Sequence, residues 1–185
     1  MRRGLALSIS AVLLLAGAFL STGTAAPKGV QFSAHLSGAN EVPPRDTTAS
    51  GQALFRLSDA GTALSYRLIV DDINNVVASH IHLGPAGVNG PVVAFLAGPL
   101  DPGGGPVNGI LAQGTITAAN LVGPLAGQSL GVLVAAMQDG GAYVNVHTND
   151  GIDPINTGAG DFPGGEIRGQ VRSLRKSLSP EEPTP

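Results

Sequence analysis

Val30-Gln31-Phe32-Ser33-Ala34-His35-Leu36-Ser37 alternates apolar and polar side chains at every step. That is the period of an extended strand with one face buried and the other wet. The pattern returns twice downstream. Ala53, Phe55 and Leu57 alternate with Gln52, Leu54 and Arg56, and Leu64, Tyr66, Leu68 and Val70 alternate with Ser65, Arg67 and Ile69. The connections agree, because Asn40-Glu41-Val42-Pro43-Pro44 lacks the amide donors a regular ladder needs and Asp59-Ala60-Gly61 suits a tight turn. Further strands are expected at 77–83, 92–96, 110–117, 142–148 and 165–171. One helix is expected over 130–138, where Ala135-Ala136-Met137 favours it and Gly140-Gly141 stops it. The expected fold is all-β: an antiparallel, Greek-key-like β-sandwich or flattened barrel of about eight strands with one short helix.

Ahead of this domain, Arg2 and Arg3 precede an apolar and small-residue run over 5–20, followed by small residues to Ala26. This is the order of a cleavable secretory signal, and the apolar run is shorter than the ~20 residues of a membrane-spanning helix. Residues 1–25 therefore read as a signal peptide, 26–172 as the β domain and 173–185 as a disordered, proline-rich tail. The expected location is secreted or periplasmic, with no membrane insertion after cleavage. The chain contains no cysteine, so neither a disulfide framework nor a lipid-modified cysteine is available. Without Arg2 and Arg3, the mature chain keeps 8 basic against 13 acidic residues, a net charge of −5. Nucleic acid is not an expected partner, and the ligand or surface partner stays unknown.

The strand period also places the histidines. His80 and His82 share one face of 77–83 while Ser79, Ile81 and Leu83 take the other. On 142–148, Tyr143, Asn145 and His147 lie opposite Val144 and Val146. On 165–171, Glu166, Arg168 and Gln170 lie opposite Ile167 and Val171. If the polar faces of these three strands converge, His80, His82, His147, Asn145, Glu166 and Arg168 form one cluster. Two chemistries fit it. One is a polar network in which Asn145 and Glu166 hold imidazoles and Arg168 pairs with Glu166. The other is a metal site using His80, His82 and His147. Residues two apart on a strand are ~6.6 Å apart along its axis, close enough for both rings to bend toward one ion with bonds of ~2.0–2.1 Å. Imidazole suits copper or zinc.

Four stretches in register carry a family resemblance: residues 32–44, His80-Ile81-His82-Leu83-Gly84 with Asn89-Gly90-Pro91-Val92-Val93, residues 143–148, and Gly164-Gly165-Glu166-Ile167-Arg168-Gly169-Gln170. Together they resemble the CHRD domain, the module named after chordin. The resemblance implies a compact β domain of extracellular and bacterial exported proteins, with no general catalytic activity and no single ligand. A non-catalytic binding or surface module is the function it implies. The His-x-His strand followed by a late Val-His strand is also similar to copper/zinc superoxide dismutase. That similarity assigns copper to His80, His82 and His147, with possible redox activity. It does not extend to a bridging fourth histidine, a histidine-rich zinc loop or a cysteine pair, so dismutase activity is not expected.

Other enzyme classes lack their residues. There is no Gly-x-Ser-x-Gly elbow and no cysteine nucleophile, and the Gly-rich 101–106 stretch lacks the Lys-Ser/Thr ending of a phosphate loop. Asp150, Asp153, Asn156 and Asp161 are faintly calcium-like, but their spacing fits no twelve-residue calcium loop. Glu41 reads as either a site acid or a turn residue.

Overall fold

The computed structural model describes residues 29–174. The signal peptide assigned to 1–25 and all but the start of the tail lie outside these residues. The elements run β1 (Gln31–Ser37), β2 (Ser50–Leu57), β3 (Leu64–Asn74), β4 (Val76–Leu83), β5 (Val92–Ala97), β6 (Pro106–Ile116), α1 (Leu130–Gln138), β7 (Ala142–Thr148), β8 (Ile167–Gln170) and β9 (Arg172–Ser173). The strands form a single antiparallel sheet in the order β5-β4-β7-β8-β1-β2-β3-β6, with β9 continuing along β1 beyond β8. The sheet curls into an all-β, nearly closed barrel with one helix. Of the two architectures the sequence left open, the barrel is the one formed.

Curling follows from local irregularity. Against β4, strand β5 carries extra residues at Leu96 and Val93, because Ser79, His80, Ile81 and His82 pair with Ala97, Phe95, Ala94 and Val92. Bulges of this kind bend a strand and increase its twist. They bring β5 toward the opposite edge strand, β6, without a ladder between them. Across this seam the Tyr66 hydroxyl, from β3, donates to the Leu96 carbonyl at 2.8 Å.

The period-two faces decide what fills the barrel. Ile81, Val144, Val146, Ile167 and Val171 are all fully buried, as are Phe32, Leu64 and Leu68. Helix α1 buries Leu130, Leu133, Val134 and Met137 in the same core. It ends where Gly140 takes φ +71, the left-handed conformation that glycine adopts without a Cβ penalty. At the other end of the chain, Ser173 pairs with Phe32 and Leu174 N donates to Gln31 O at 2.8 Å. The sheet therefore runs slightly past the boundary read at 172. Among the described residues, no helix is long and apolar enough to cross a membrane.

Candidate functional site

Strands β4, β7 and β8 are neighbours, and their register aligns the polar faces into rows. His80 pairs with Asn145, which pairs with Arg168; His82 pairs with Tyr143, which pairs with Gln170. His147 pairs with Ala78, one step along the same face from Asn145. The loops at 84–91 and 149–166 fold over these rows and bury much of them.

The three histidines meet beneath those loops, with one potential ligand atom of each lying within 4.8 Å of the others. Backbone carbonyls fix two of the rings. His82 Nδ1 donates to Gly90 O at 2.8 Å, and His147 Nδ1 donates to Pro163 O at 2.9 Å. A carbonyl can only accept, so in the neutral rings the proton sits on Nδ1 and Nε2 keeps its lone pair. His82 Nε2 is buried without a hydrogen-bond partner. His147 Nε2 lies 3.0 Å from His80 Nδ1. Phe95 meets the His80 ring edge-on, with centroids 4.7 Å apart.

Burial governs the charge of this cluster. It pushes His80 down to about 4, with repulsion from His147 and His82 adding to the effect. His82 and His147 are also lowered, mainly by burial. All three imidazoles are thus neutral at pH 7, the state in which a ring nitrogen can ligate a metal.

Close backbone approach makes the anchors possible. A Cβ on Gly90 would lie 1.5 Å from Leu83 O, so only glycine lets that loop return against β4 and present its carbonyl to His82. The loop is also tied down by Gly90 N, which donates to the Tyr143 hydroxyl at 3.1 Å. Tyr143 stacks on His82, with ring centroids 4.8 Å apart and planes inclined by 12°. The Arg168 guanidinium lies 3.4 Å from the centroid of the Tyr143 ring. Arg168, Tyr143 and His82 therefore form one stacked column.

The proposed pairing of Glu166 with Arg168 is not formed. Glu166 accepts from Thr47 Oγ1 and Thr148 Oγ1, each at 2.6 Å, and from Gly160 N at 2.8 Å. Arg168 donates instead to Asn89 Oδ1 at 3.0 Å, Pro85 O at 3.2 Å and Val88 O at 2.8 Å. The expected shared strand face is not formed, because β8 begins at Ile167 and leaves Glu166 in the preceding loop, where Thr47, Thr148 and Gly160 take up its carboxylate while the 84–91 loop takes up Arg168. Glu166 nevertheless serves the histidines indirectly, since its bond to Gly160 N fixes the loop that carries Pro163.

Asn145 is buried beside His82, and its Oδ1 makes no well-formed hydrogen bond. Glu41 belongs to the same neighbourhood. Its amide closes a tight turn on Gly38 O, yet its carboxyl is buried with Oε1 unpartnered. The two side chains meet around Gly165, where a Cβ would lie 2.6 Å from Glu41 Oε1 and 3.0 Å from Asn145 Nδ2. No periodicity marks a buried carboxyl in a proline-rich loop, so sequence reasoning left Glu41 open. Of the faintly calcium-like residues, Asp161 Oδ2 accepts from Thr157 N and Thr157 Oγ1, and Asp150 Oδ1 accepts from Ile152 N. These are local turn contacts.

An antiparallel barrel with a loop-covered histidine cluster is the class of protein these features define. A family model for the CHRD domain matches residues 32–153, well over half of the chain, and the chain belongs to that family. A comparison with curated proteins finds no match.

Proposed function

We propose that the protein is an exported, non-catalytic binding module that holds one copper or zinc ion through His80, His82 and His147. The observation that carries this reading is a set of neutral imidazoles, one buried and two half-buried, two of them oriented by backbone carbonyls, with only the Asn145 side chain near His82 Nε2 and no well-formed hydrogen bond to it. Carbonyls that accept from the non-ligating ring nitrogen and so fix the tautomer are the usual supports of metal-ligating histidines. The donor set is soft enough for copper or zinc and contains no carboxylate that would favour calcium or magnesium. A spread of 4.8 Å is slightly wider than the roughly 4 Å that two ~2.0–2.1 Å bonds can span, so small ring rotations complete the site. A bound copper would supply one-electron exchange, and zinc a structural staple.

The location outside the cytoplasm rests on the family and on the signal-like residues 1–25. The absence of cysteine suits a module that folds without oxidation. The test is elemental analysis of the purified mature protein, followed by copper and zinc titration against a competing chelator. The expected result is one ion per chain in the wild type and loss of most of the affinity in His82→Ala. Urea midpoints of the wild type should rise with added metal, corresponding to a stabilisation of about 2.7 kcal/mol at a hundredfold excess over Kd. Midpoints that ignore both metals would end the metal reading and leave a hydrogen-bonded histidine network.

A further inference from the structure

A cavity that contains none of the three clustered histidines opens beside the 84–91 loop. Its floor is the outward face of β1, β8 and β9, where Ser37 pairs with Arg168 and Ser33 with Arg172. One wall is the turn containing Glu41, Val42 and Pro44, and the other is Ala86-Gly87. Together they enclose a cavity of about 560 Å³, within the usual range for small-ligand sites. Asn89 braces the walls by accepting from Arg168 Nη1 at 3.0 Å and donating to Val42 O at 2.8 Å.

The charge in this cavity is unbalanced. Arg168 is only 1% exposed, and its three acceptors are neutral oxygens, so its positive charge has no carboxylate bonded to it. Arg172 and His35 stand exposed at the rim, where a ligand can reach them. Glu41 is the single acidic side chain in the lining. Burial raises its carboxyl to about 7 even though Arg168 and Arg45 pull it downward. Around neutrality it is therefore only partly charged and below it mostly protonated, and a protonated carboxyl donates a hydrogen bond. Val42 and Pro44 add apolar wall.

We propose that this cavity binds a small organic carboxylate with an apolar body, its charge held by Arg172 at the rim and by the field of Arg168 from the floor, and its body against Val42 and Pro44. The charge present suits a monoanion. Inorganic phosphate, mostly a monoanion at pH 6, would leave the apolar wall unused, and as the dianion at higher pH it would meet an ionising Glu41 without enough positive charge to offset both.

Benzoate is the probe, with benzamide as its neutral isostere and inorganic phosphate as the competing anion. Calorimetric titration of the purified protein at pH 6 should give saturable benzoate binding, with benzamide and phosphate each at least tenfold weaker. Arg172→Glu, an exposed substitution that leaves the core intact, should weaken benzoate at least tenfold. In a His35→Ala background, where no exposed imidazole contributes, affinity should fall between pH 6 and pH 8 as Glu41 ionises beside Arg168 and Arg45. Adding Glu41→Gln should flatten that fall. Absence of saturable benzoate binding, unchanged affinity in Arg172→Glu, phosphate binding as tightly as benzoate, or a pH dependence that survives Glu41→Gln would each overturn the proposal.

Discussion

His80 Nδ1 lies 3.0 Å from His147 Nε2 although the two residues are not opposite each other in the ladder, where His80 faces Asn145 and His147 faces Ala78. The contact is diagonal across β4 and β7, within reach of rings on one sheet face. Because Pro163 O takes the Nδ1 proton of His147, His147 Nε2 is the acceptor and His80 Nδ1 the donor. Metal binding through His80 Nδ1 would require that proton to leave or to move to Nε2.

The metal-free protein should therefore show a specific protonation pattern. Long-range nitrogen-proton correlation spectra at pH 7 should report unprotonated Nε2 in both His82 and His147, and protonated Nδ1 in all three rings. Adding stoichiometric zinc should convert His80 to the Nε2-protonated form. Protonated Nε2 in His82 of the metal-free protein would remove the lone pair on which the site depends.

Glu166→Ala should cost about 3 kcal/mol or more in urea denaturation. The substitution strands the Thr148 hydroxyl and the Gly160 amide in a buried setting and the Thr47 hydroxyl in a half-buried one, and each buried unsatisfied group costs ~1–3 kcal/mol. Glu166→Gln keeps acceptor capacity at one oxygen and should cost less. Both should also weaken metal binding, because the loop presenting Pro163 O to His147 loses its anchor. A Glu166→Ala protein with wild-type stability would contradict the network.

Much of this was legible from periodicity. Alternation places His80 and His82 on one face and Tyr143, Asn145 and His147 on another, and the ladder between β4 and β7 joins those faces. What alternation cannot supply is the content of the covering loops. Gly90 O, Pro163 O and the buried carboxyl of Glu41 all come from irregular segments whose path is set by close contacts such as Gly90 against Leu83 O. The same limit explains the mistaken Glu166 to Arg168 pair. Strand parity extended the strand back to 165, whereas β8 begins at Ile167, and the partners of the two charges come from other segments of the chain.

The stability contributed by Glu41 should fall as pH rises from about 4.5 to 7. Its carboxyl is raised from 4.5 to about 7 by burial. Below 4.5 both folded and unfolded chains carry the proton, and nothing is lost. Through the window between the two values the unfolded chain releases its proton first, so unfolding is favoured, and above about 7 the loss is complete. The shift corresponds to a cost on the order of 3 kcal/mol. Glu41→Gln should be more stable than the wild type at pH 8 and closely matched at pH 4. The histidines act in the opposite direction: their lowered values make stability fall with acidification below 6.5, toward about 4 for His80. The two windows overlap, so the carboxyl is isolated by the difference between the urea stabilities of wild type and Glu41→Gln, which should grow between pH 4.5 and 7 and level off above; a difference that stays constant across pH 4 to 8 would refute the assignment to Glu41.

Tyr143 joins the two halves of the site, and its ring and hydroxyl can be separated by substitution. The hydroxyl accepts from Gly90 N, and Gly90 O in turn orients His82. Tyr143→Phe should therefore cost only about 0.5–1.5 kcal/mol, the net worth of one hydrogen bond. It should still loosen the 84–91 loop and weaken metal binding severalfold. Tyr143→Leu also removes the aromatic face lying between the Arg168 guanidinium and the His82 ring. A buried cation then loses its π contact, and the loss should exceed that of Tyr143→Phe by at least another ~1–2 kcal/mol. Urea midpoints and chelator-competed copper affinities of the two variants, measured side by side, separate these contributions. Equal stability losses in Phe and Leu would mean that the stacked column contributes nothing beyond the hydroxyl, and unchanged copper affinity in Tyr143→Phe would mean that the Gly90 carbonyl holds His82 without help from the tyrosine.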